Sequence, residues 1–295
     1  MKRMFPIVCL MLAFCLFTLP AGARCADGED GISVRLVRNA TLKISHGGTT
    51  VLLDPMLAGQ GAWPGFAGTY HSELRNPTVP LPMPVSEVLQ DVDAVILTHT
   101  HEDHWDRAAQ ELLPKGMPVY VQNEADRRLV SSQGFTDVRV LKQSDRIGAI
   151  SLARTACRHG SETVMADESR RASLDPVMGM VFSAPGVKSV YVAADTVWFK
   201  GVEEALALHR PDVIVLNTGA ASLSGERYAA DPRIIMDKED VLRACQAAPS
   251  AKIVTVHMDA VNHMTTGRAD VRAFCAEKGL TERVLIPMDG ETMDF

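Results

Sequence analysis

Six consecutive residues, His99-Thr100-His101-Glu102-Asp103-His104, carry three of the nine histidines of the chain together with two acids. Neutral imidazole is the commonest metal ligand and carboxylate its usual companion. In an extended segment His99 and His101 project to the same side, so both reach one ion, while Asp103 and His104 fall at the following turn and face a second. The spacing lacks the i, i+4 helical histidine pair of a zincin. Four potential ligands directly after the apolar run Ala94-Val95-Ile96-Leu97 would be costly to bury without a purpose, which argues against a merely polar turn.

Other polar residues end apolar runs in the same manner. Asp195 closes Tyr191-Val192-Ala193-Ala194, and a lone carboxylate there wants a partner. His257 closes Ile253-Val254-Thr255-Val256, and His159 follows the run 151–157 with Gly160 next. These three read as further ligands. His263 reads equally as a substrate-contacting group and as a loop histidine. His46, His71 and His209 read as structural or surface residues, and Asp289 as a turn residue. Asp106 reads as a helix cap or as a group orienting an imidazole.

The elements that must hold these residues alternate in type. Short β-branched runs predict strands over 33–37, 41–45, 50–53, 94–97, 119–122, 138–141, 150–153, 190–194, 213–216, 253–256 and 284–286. Helices are expected over 85–90, 106–113, 124–132, 202–209, 238–247 and 268–278, with Asp237 as a cap and Gly279 as a left-handed stop. Strands come first, then two rounds of mixed strands and helices. That order predicts an α/β fold (α+β in its sheet content): a four-layer αββα sandwich of two mixed sheets flanked by helices. Three segments, 55–84, 160–179 and 218–233, read as long loops at the rim of the site. Trp63, Phe66 and Tyr70 are placed in the first as pocket wall or as plain loop packing. Arg170 and Arg171 in the second read better as a solvated charged loop than as anchors for an anionic substrate.

Composition bounds the partners. The chain has 295 residues, 46% hydrophobic and 22% charged, an ordinary globular mixture. Residues 1–23 combine Lys2 and Arg3, an uncharged apolar stretch and Ala21-Gly22-Ala23, which predicts a cleaved signal peptide and a periplasmic or secreted protein. An uncleaved anchor is the rival reading. Residues 24–295 are expected to form a single domain. Cleavage removes two positive charges and no acid, taking the formal net charge from −6 to −8. With no dense Lys/Arg run, nucleic acid is excluded as a partner, and no stable membrane contact is expected after cleavage. A small-molecule substrate is expected, and a homo-oligomer is left open. Cys25, Cys157, Cys245 and Cys275 remain without a CxxC pair. Sequence gives no pairing for them, and Cys157 reads as a small buried hydrophobe.

His99, His101, Asp103 and His104 match the HxHxDH signature of the metallo-β-lactamase superfamily, and the resemblance spans roughly the whole mature chain. Asp54, His159, Asp195 and His257 resemble the family's early aspartate, third histidine, bridging aspartate and final histidine. Ala194 stands where the family usually has glycine. The stretch 47–54 and Asp103-His104-Trp105-Asp106 are most similar to the ascorbate-6-phosphate lactonase-like branch. The resemblance implies the αββα metallo-β-lactamase fold and two divalent ions, most simply zinc, with manganese or iron as alternatives. His99, His101 and His159 would hold one ion, Asp103, His104 and His257 the other, and Asp195 would bridge them. Asp103, His263 and Asp54 are the expected catalytic residues, Asp54 by orienting imidazoles. The implied activity is a metal-dependent hydrolase whose metal-activated hydroxide opens an ester, lactone or phosphoester. Aspartate at 195, where true β-lactamases typically have cysteine, disfavours antibiotic hydrolysis. The alternatives are a non-catalytic metal-binding protein and a di-iron oxidoreductase on the same fold.

Overall fold

The computed structural model describes Met1 and residues 31–295. The signal segment expected over 1–23 lies, after Met1, outside the described residues, as does Cys25.

Three β-branched runs open the described chain as β1 (Ser33–Arg38), β2 (Thr41–His46) and β3 (Thr49–Leu53), each antiparallel to the next. The β2–β3 turn is Gly47-Gly48, both at positive φ, the geometry that matches strand twist in a two-residue hairpin. From β3 onward the pairing becomes parallel: β4 (Ala94–Ile96), β5 (Val119–Val121) and β6 (Val138–Val140) lie side by side. The crossovers carry α1 (Val85–Val88), α2 (Arg107–Leu112) and α3 (Glu124–Ser132). The chain then builds a second sheet. β7 (Ser144–Ile147), β8 (Ile150–Ala156) and β9 (Met178–Ser183) are antiparallel. β10 (Val190–Val192) continues antiparallel to β9, and β11 (Val213–Asn217), β12 (Lys252–Val256) and β13 (Val284–Leu285) add in parallel. Between β8 and β9 lie α4 (Glu162–Met165) and α5 (Glu168–Leu174). The parallel crossovers carry α6 (Lys200–His209), α7 (Lys238–Ala247) and α8 (Arg268–Lys278). β14 (Thr292–Asp294) returns to pair with β1, so each sheet has seven strands among the described residues.

The layers reflect which faces are apolar. One core lies between the sheets, with Leu36, Leu42, Ile44 and Val51 facing Leu152, Met180, Phe182 and Val215. A second joins the outer face of the β7–β13 sheet to α6, α7 and α8, and a third joins the other sheet to α1, α2 and α3. This is the expected αββα sandwich of two mixed sheets. No helix among the described residues is long and apolar enough to cross a membrane.

Four expectations need correction. The segment 160–179 is not a loop: Ser161 and Asp167 cap α4 and α5, and its last residues begin β9. The segment 218–233 contains a 3-10 turn at Glu226–Tyr228. The strands β7, β9 and β14 lie outside the expected set: Ser-Asp-Arg-Ile is polar, β9 opens on Met-Gly-Met ahead of its strand-forming Val181-Phe182, and Thr-Met-Asp is short. Asp289 is more than a turn residue, because the buried Arg268 guanidinium pairs with it and with Asp259.

Candidate metal centre

Parallel strands bring the residues just past their carboxyl ends to one edge of a sheet. Asp54 comes directly after β3, residues 98–106 come after β4, Asp195 lies just past β10, Asn217 ends β11 and His257 comes directly after β12. Asp54 (φ 46°), Ala194 (φ 58°) and His257 (φ 60°) are in the left-handed region, so the chain reverses sharply at three of these strand ends. Such a conformation costs a non-glycine residue on the order of 1–2 kcal/mol and persists where its surroundings enforce it.

The seven expected ligands converge in two groups joined by Asp195, and Asp54 with His99 and His104 forms a third cluster behind them. Ligand atoms of His99, His101 and His159 come within 4.8 Å of one another, as do those of Asp103, His104 and His257. Asp195 lies between them. Its Oδ2 is 3.9 Å from His99 Nε2, 3.5 Å from His159 Nε2 and 3.2 Å from His104 Nε2, and its Oδ1 is 3.5 Å from His257 Nε2. His257 Nε2 is also 3.4 Å from Asp103 Oδ2 and 3.1 Å from His104 Nε2. All seven expected ligands therefore meet at one place.

The outer contacts fix which ring nitrogen faces inward. His159 Nδ1 donates to Ile234 O at 2.8 Å, leaving Nε2 for the centre. His101 Nε2 donates to Ser173 O at 2.8 Å, leaving Nδ1. Asp54 governs two rings. Its Oδ2 accepts from His104 Nδ1 at 2.8 Å and from Thr98 Oγ1 at 2.6 Å, and its Oδ1 accepts from Thr98 N at 2.7 Å. Because the Thr98 hydroxyl donates to Asp54, it accepts from His99 Nδ1 at 3.0 Å. Both rings thus direct Nε2 inward, where a cation would take the place of the proton that the carboxylates hold on His104, and His99 Nε2 is buried with no hydrogen-bond partner among the described residues. Asp54 does not line the cavity; it acts on the imidazoles, directly on His104 and through Thr98 on His99. Asp106 spends its oxygens on Ala109 N and Ala58 N, each at 2.7 Å; it is the cap of α2 and touches no imidazole.

Electrostatics test whether a cation fits. Asp54, Asp103 and Asp195 are 1%, 4% and 3% exposed, and no Lys or Arg pairs with any of them among the described residues. Burial pushes Asp103 and Asp195 up, yet His104 and His257 outweigh it and hold both below the usual carboxylate range. Burial lowers His104, and Asp195, Asp103 and Asp54 more than reverse this, holding it well above its ordinary value. Burial, reinforced by His104 and His101, drives His99 well below its own, and burial pushes His159 down to about 4. One proton on His104 thus faces three buried carboxylates. Buried charge needs compensation, and an inward set of nitrogens and carboxylate oxygens is what a divalent cation of the zinc, manganese or iron type takes.

A cavity of about 210 Å³ opens onto this cluster. His101, Asp103, His159, Asp195 and His263 form its polar end, and Phe66, Leu174, Leu223 and Ile234 its apolar walls. His263 is 5% exposed, stands edge-on to Phe66 at 5.0 Å between ring centroids, and has a buried Nδ1 without a partner among the described residues. Of the three aromatics in the 55–84 segment only Phe66 lines this cavity; Trp63 packs with Met56 and Val261, and Tyr70 is exposed. Arg171 pairs with Glu168 at 3.7 Å, whereas Arg170 lines the cavity and is no loop residue. Cys157 gives its thiol to Ala193 O at 3.2 Å, and burial raises its pKa, so it stays a neutral neighbour. Cys245 and Cys275 are buried and have no disulfide partner among the described residues.

Sequence reasoning missed Thr98 and Asn217. Asn217 Nδ2 donates to Asp195 Oδ1 at 2.6 Å and fixes the carboxylate that spans the two groups. Its signal was present: it is the polar residue closing Val213-Ile214-Val215-Leu216, as Asp195 closes the neighbouring strand.

Residues 49–258 match the family described as the beta-lactamase superfamily domain. The UPF0173 protein YddR of Bacillus subtilis is 40% identical over 265 residues, covering 90% of this chain and 100% of that protein. Two solved structures superpose with a TM-score of 0.85. An isothiocyanate hydrolase from Delia radicum gut bacteria is 45% identical and covers 89% of this chain and 99% of its own. A possible metal-dependent hydrolase from Veillonella parvula is 41% identical and covers 89% of this chain and 98% of its own.

Proposed function

The chain belongs to the β-lactamase superfamily and is a metal-dependent hydrolase, and from that premise we propose that it uses two divalent ions to hydrolyse small isothiocyanates. The observation that carries the two-ion reading is the pair of ligand groups with Asp195 between them. The substrate reading rests on the 45% identical isothiocyanate hydrolase and on a cavity whose walls suit a compact apolar group. Lactones and phosphate esters, the classes expected from the sequence, take second place.

His99, His101 and His159 would hold one ion, and Asp103, His104 and His257 the other, with Asp195 shared. Divalent ions held by these residues would supply a water of lowered pKa and a counter-charge for the reacting group. The chain does the rest. The apolar walls seat the organic group and exclude bulk water, which strengthens every charge interaction inside. Asp103, held ionised, serves as ligand and as hydrogen-bond acceptor for the attacking water. His263 is the imidazole of the cavity left free of ligand duty, and it can hydrogen-bond the sulfur or nitrogen of the N=C=S group. Water adds through a new C–O bond at the central carbon, and the resulting thiocarbamate breaks its C–N bond. The nitrogen keeps both protons of the water, giving a primary amine and carbonyl sulfide.

The test is elemental analysis of wild type and His101→Ala, with phenyl isothiocyanate, a lactone and a phosphodiester assayed side by side. About two ions per chain, lost in the variant, with aniline released from phenyl isothiocyanate, is the expected result. A fully loaded protein that leaves isothiocyanates at the uncatalysed rate overturns the substrate. Metal content near zero under all loading conditions overturns the hydrolytic reading itself. We also place the protein outside the cytoplasm on the composition of residues 1–23; recovery from the cell with Met1 retained and in the cytoplasmic fraction would overturn that.

A further inference from the structure

Arg170 is a charged side chain in the cavity that neither the metal ligands nor their hydrogen-bonding partners use. It stands on α5, a helix held at its start by Asp167, whose carboxylate caps it and also binds Tyr228 Oη at 2.7 Å and Arg227 at 2.8 Å. Three residues on, Ser173 O receives the His101 ring. Four residues on, Leu174 lines the cavity beside Arg170, since i and i+4 share a helix face. Arg171 points elsewhere, toward Glu168. The same short helix therefore orients a ligand of the metal centre and presents a guanidinium to the space in front of it.

The opposite wall makes room for that guanidinium. Gly68 sits at φ +75°, and a Cβ there would lie 3.0 Å from Arg170 Nη2. Its neighbours are fixed, with Ser224 N donating to Gly68 O at 3.0 Å and Thr69 bridged to Leu223. The guanidinium thus reaches from α5 to the facing loop. No carboxylate among the described residues pairs with it, although a guanidinium presents five donors in a fork that matches a carboxylate. Of the acids lining this cavity, Asp103 and Asp195 belong to the histidine cluster, and Glu102 lies on the side of Asp103 and Asp106.

We infer that Arg170 is a specificity-determining residue that receives a carboxylate, or an equivalent anionic oxygen group, at the end of the substrate remote from the reacting carbon. The substrate is then a small molecule with three parts: an electrophilic carbon at the histidine–aspartate cluster, an apolar stem against Phe66 and Leu174, and an anionic tail at the mouth. The inference rests on the cavity being the substrate pocket of the hydrolase, and not on the isothiocyanate group.

The experiment compares wild type, Arg170→Gln and Arg170→Lys on phenyl isothiocyanate and 4-carboxyphenyl isothiocyanate, with metal content measured for each protein. In parallel, calorimetry follows binding of phenylthiourea and 4-carboxyphenylthiourea, which keep the shape but do not react. A charge-assisted contact at a half-exposed site predicts roughly tenfold preference of wild type for the carboxylate in kcat/KM and in thiourea affinity. Arg170→Gln loses that preference while phenyl isothiocyanate changes less than about threefold, and Arg170→Lys retains part of it. Equal losses on both substrates would mark a structural role and overturn the inference, as would a wild type with no preference in either readout. If no isothiocyanate turns over, the substrate reading fails, while the thiourea pair still decides Arg170.

Discussion

Replacing Asp54 with Asn changes one atom of a fully buried side chain, yet it should disable both metal groups. Asp54 accepts three hydrogen bonds at 2.6–2.8 Å, from Thr98 N, Thr98 Oγ1 and His104 Nδ1. An amide keeps one acceptor and turns the other into a donor. If the oxygen stays on Thr98 N, the new NH2 faces the Thr98 hydroxyl and the His104 ring. The hydroxyl must then reverse and donate to His99 Nδ1, and His104 must offer its Nδ1 lone pair. Both rings carry their proton to Nε2, the atom aimed at the centre. If the amide flips, a buried Thr98 N–H loses its acceptor instead, at about 1–3 kcal/mol. Loss of a partner to a ligating histidine typically costs about 10–100-fold in metal affinity or activity. Two rings share this one, so we expect at least ~100-fold weaker binding and an equal fall in kcat/KM. Folding stability without metal should change little, because burial already raises the Asp54 carboxyl and the amide removes a buried charge. The assay is competition against a chelator of known affinity, with elemental analysis and a denaturant melt of the stripped protein. Thr98→Val cuts the relay to His99 alone and should weaken chiefly the His99–His101–His159 group. An Asp54→Asn protein within about threefold of wild type in metal affinity would refute the tautomer argument.

The geometry sets three further outcomes. Burial pushes His263 down to about 4, so the folded state binds fewer protons than the unfolded one between pH 6.5 and 4, and stability falls as pH falls through that window. The shift is worth about 3 kcal/mol, and His263→Phe should make the acid-induced loss in metal-free protein shallower by roughly that amount in pH-resolved urea melts; an unchanged slope would refute it. Ala194→Gly relieves a left-handed alanine (φ 58°) and should raise stability by about 0.5–1 kcal/mol after the entropy of the added glycine is subtracted, with metal content unchanged; a lower Tm would contradict the strain. Asn262 binds Phe66 N, Asn76 Nδ2, Thr69 Oγ1 and Tyr70 O at 2.8–3.0 Å, so Asn262→Ala should loosen the wall that carries Phe66 and raise KM several-fold at constant metal content. A fall in kcat alone would show that this clasp does not shape the pocket.

What the sequence revealed and what it hid divide along a physical line. The ligands His99, His101, Asp103, His104, Asp195 and His257 were legible because each is polar and sits at or just beyond the end of an apolar strand, where burial without a partner would be costly. Helices α7 and α8 were legible to the residue because Asp237 and Gly279 mark their ends locally, and α3 matches its expected span 124–132. The hidden parts depend on partners far away in the chain. Thr98 looks like an ordinary strand-end residue until its hydroxyl is seen between His99 and Asp54, 44 positions apart from the latter. α5 looks like a charged loop, because its polar composition suits both, and the cap on Asp167 that starts it is held in place by the distant Tyr228 and Arg227. The chemistry of the centre is therefore written in short strand-to-turn motifs, whereas the shape of the space before it is set by contacts between 63–78, α5 and 217–265. A motif can be read without those contacts; a substrate cannot, which is why the choice among ester, lactone and isothiocyanate turns on Phe66, Arg170 and His263 and not on the histidine cluster.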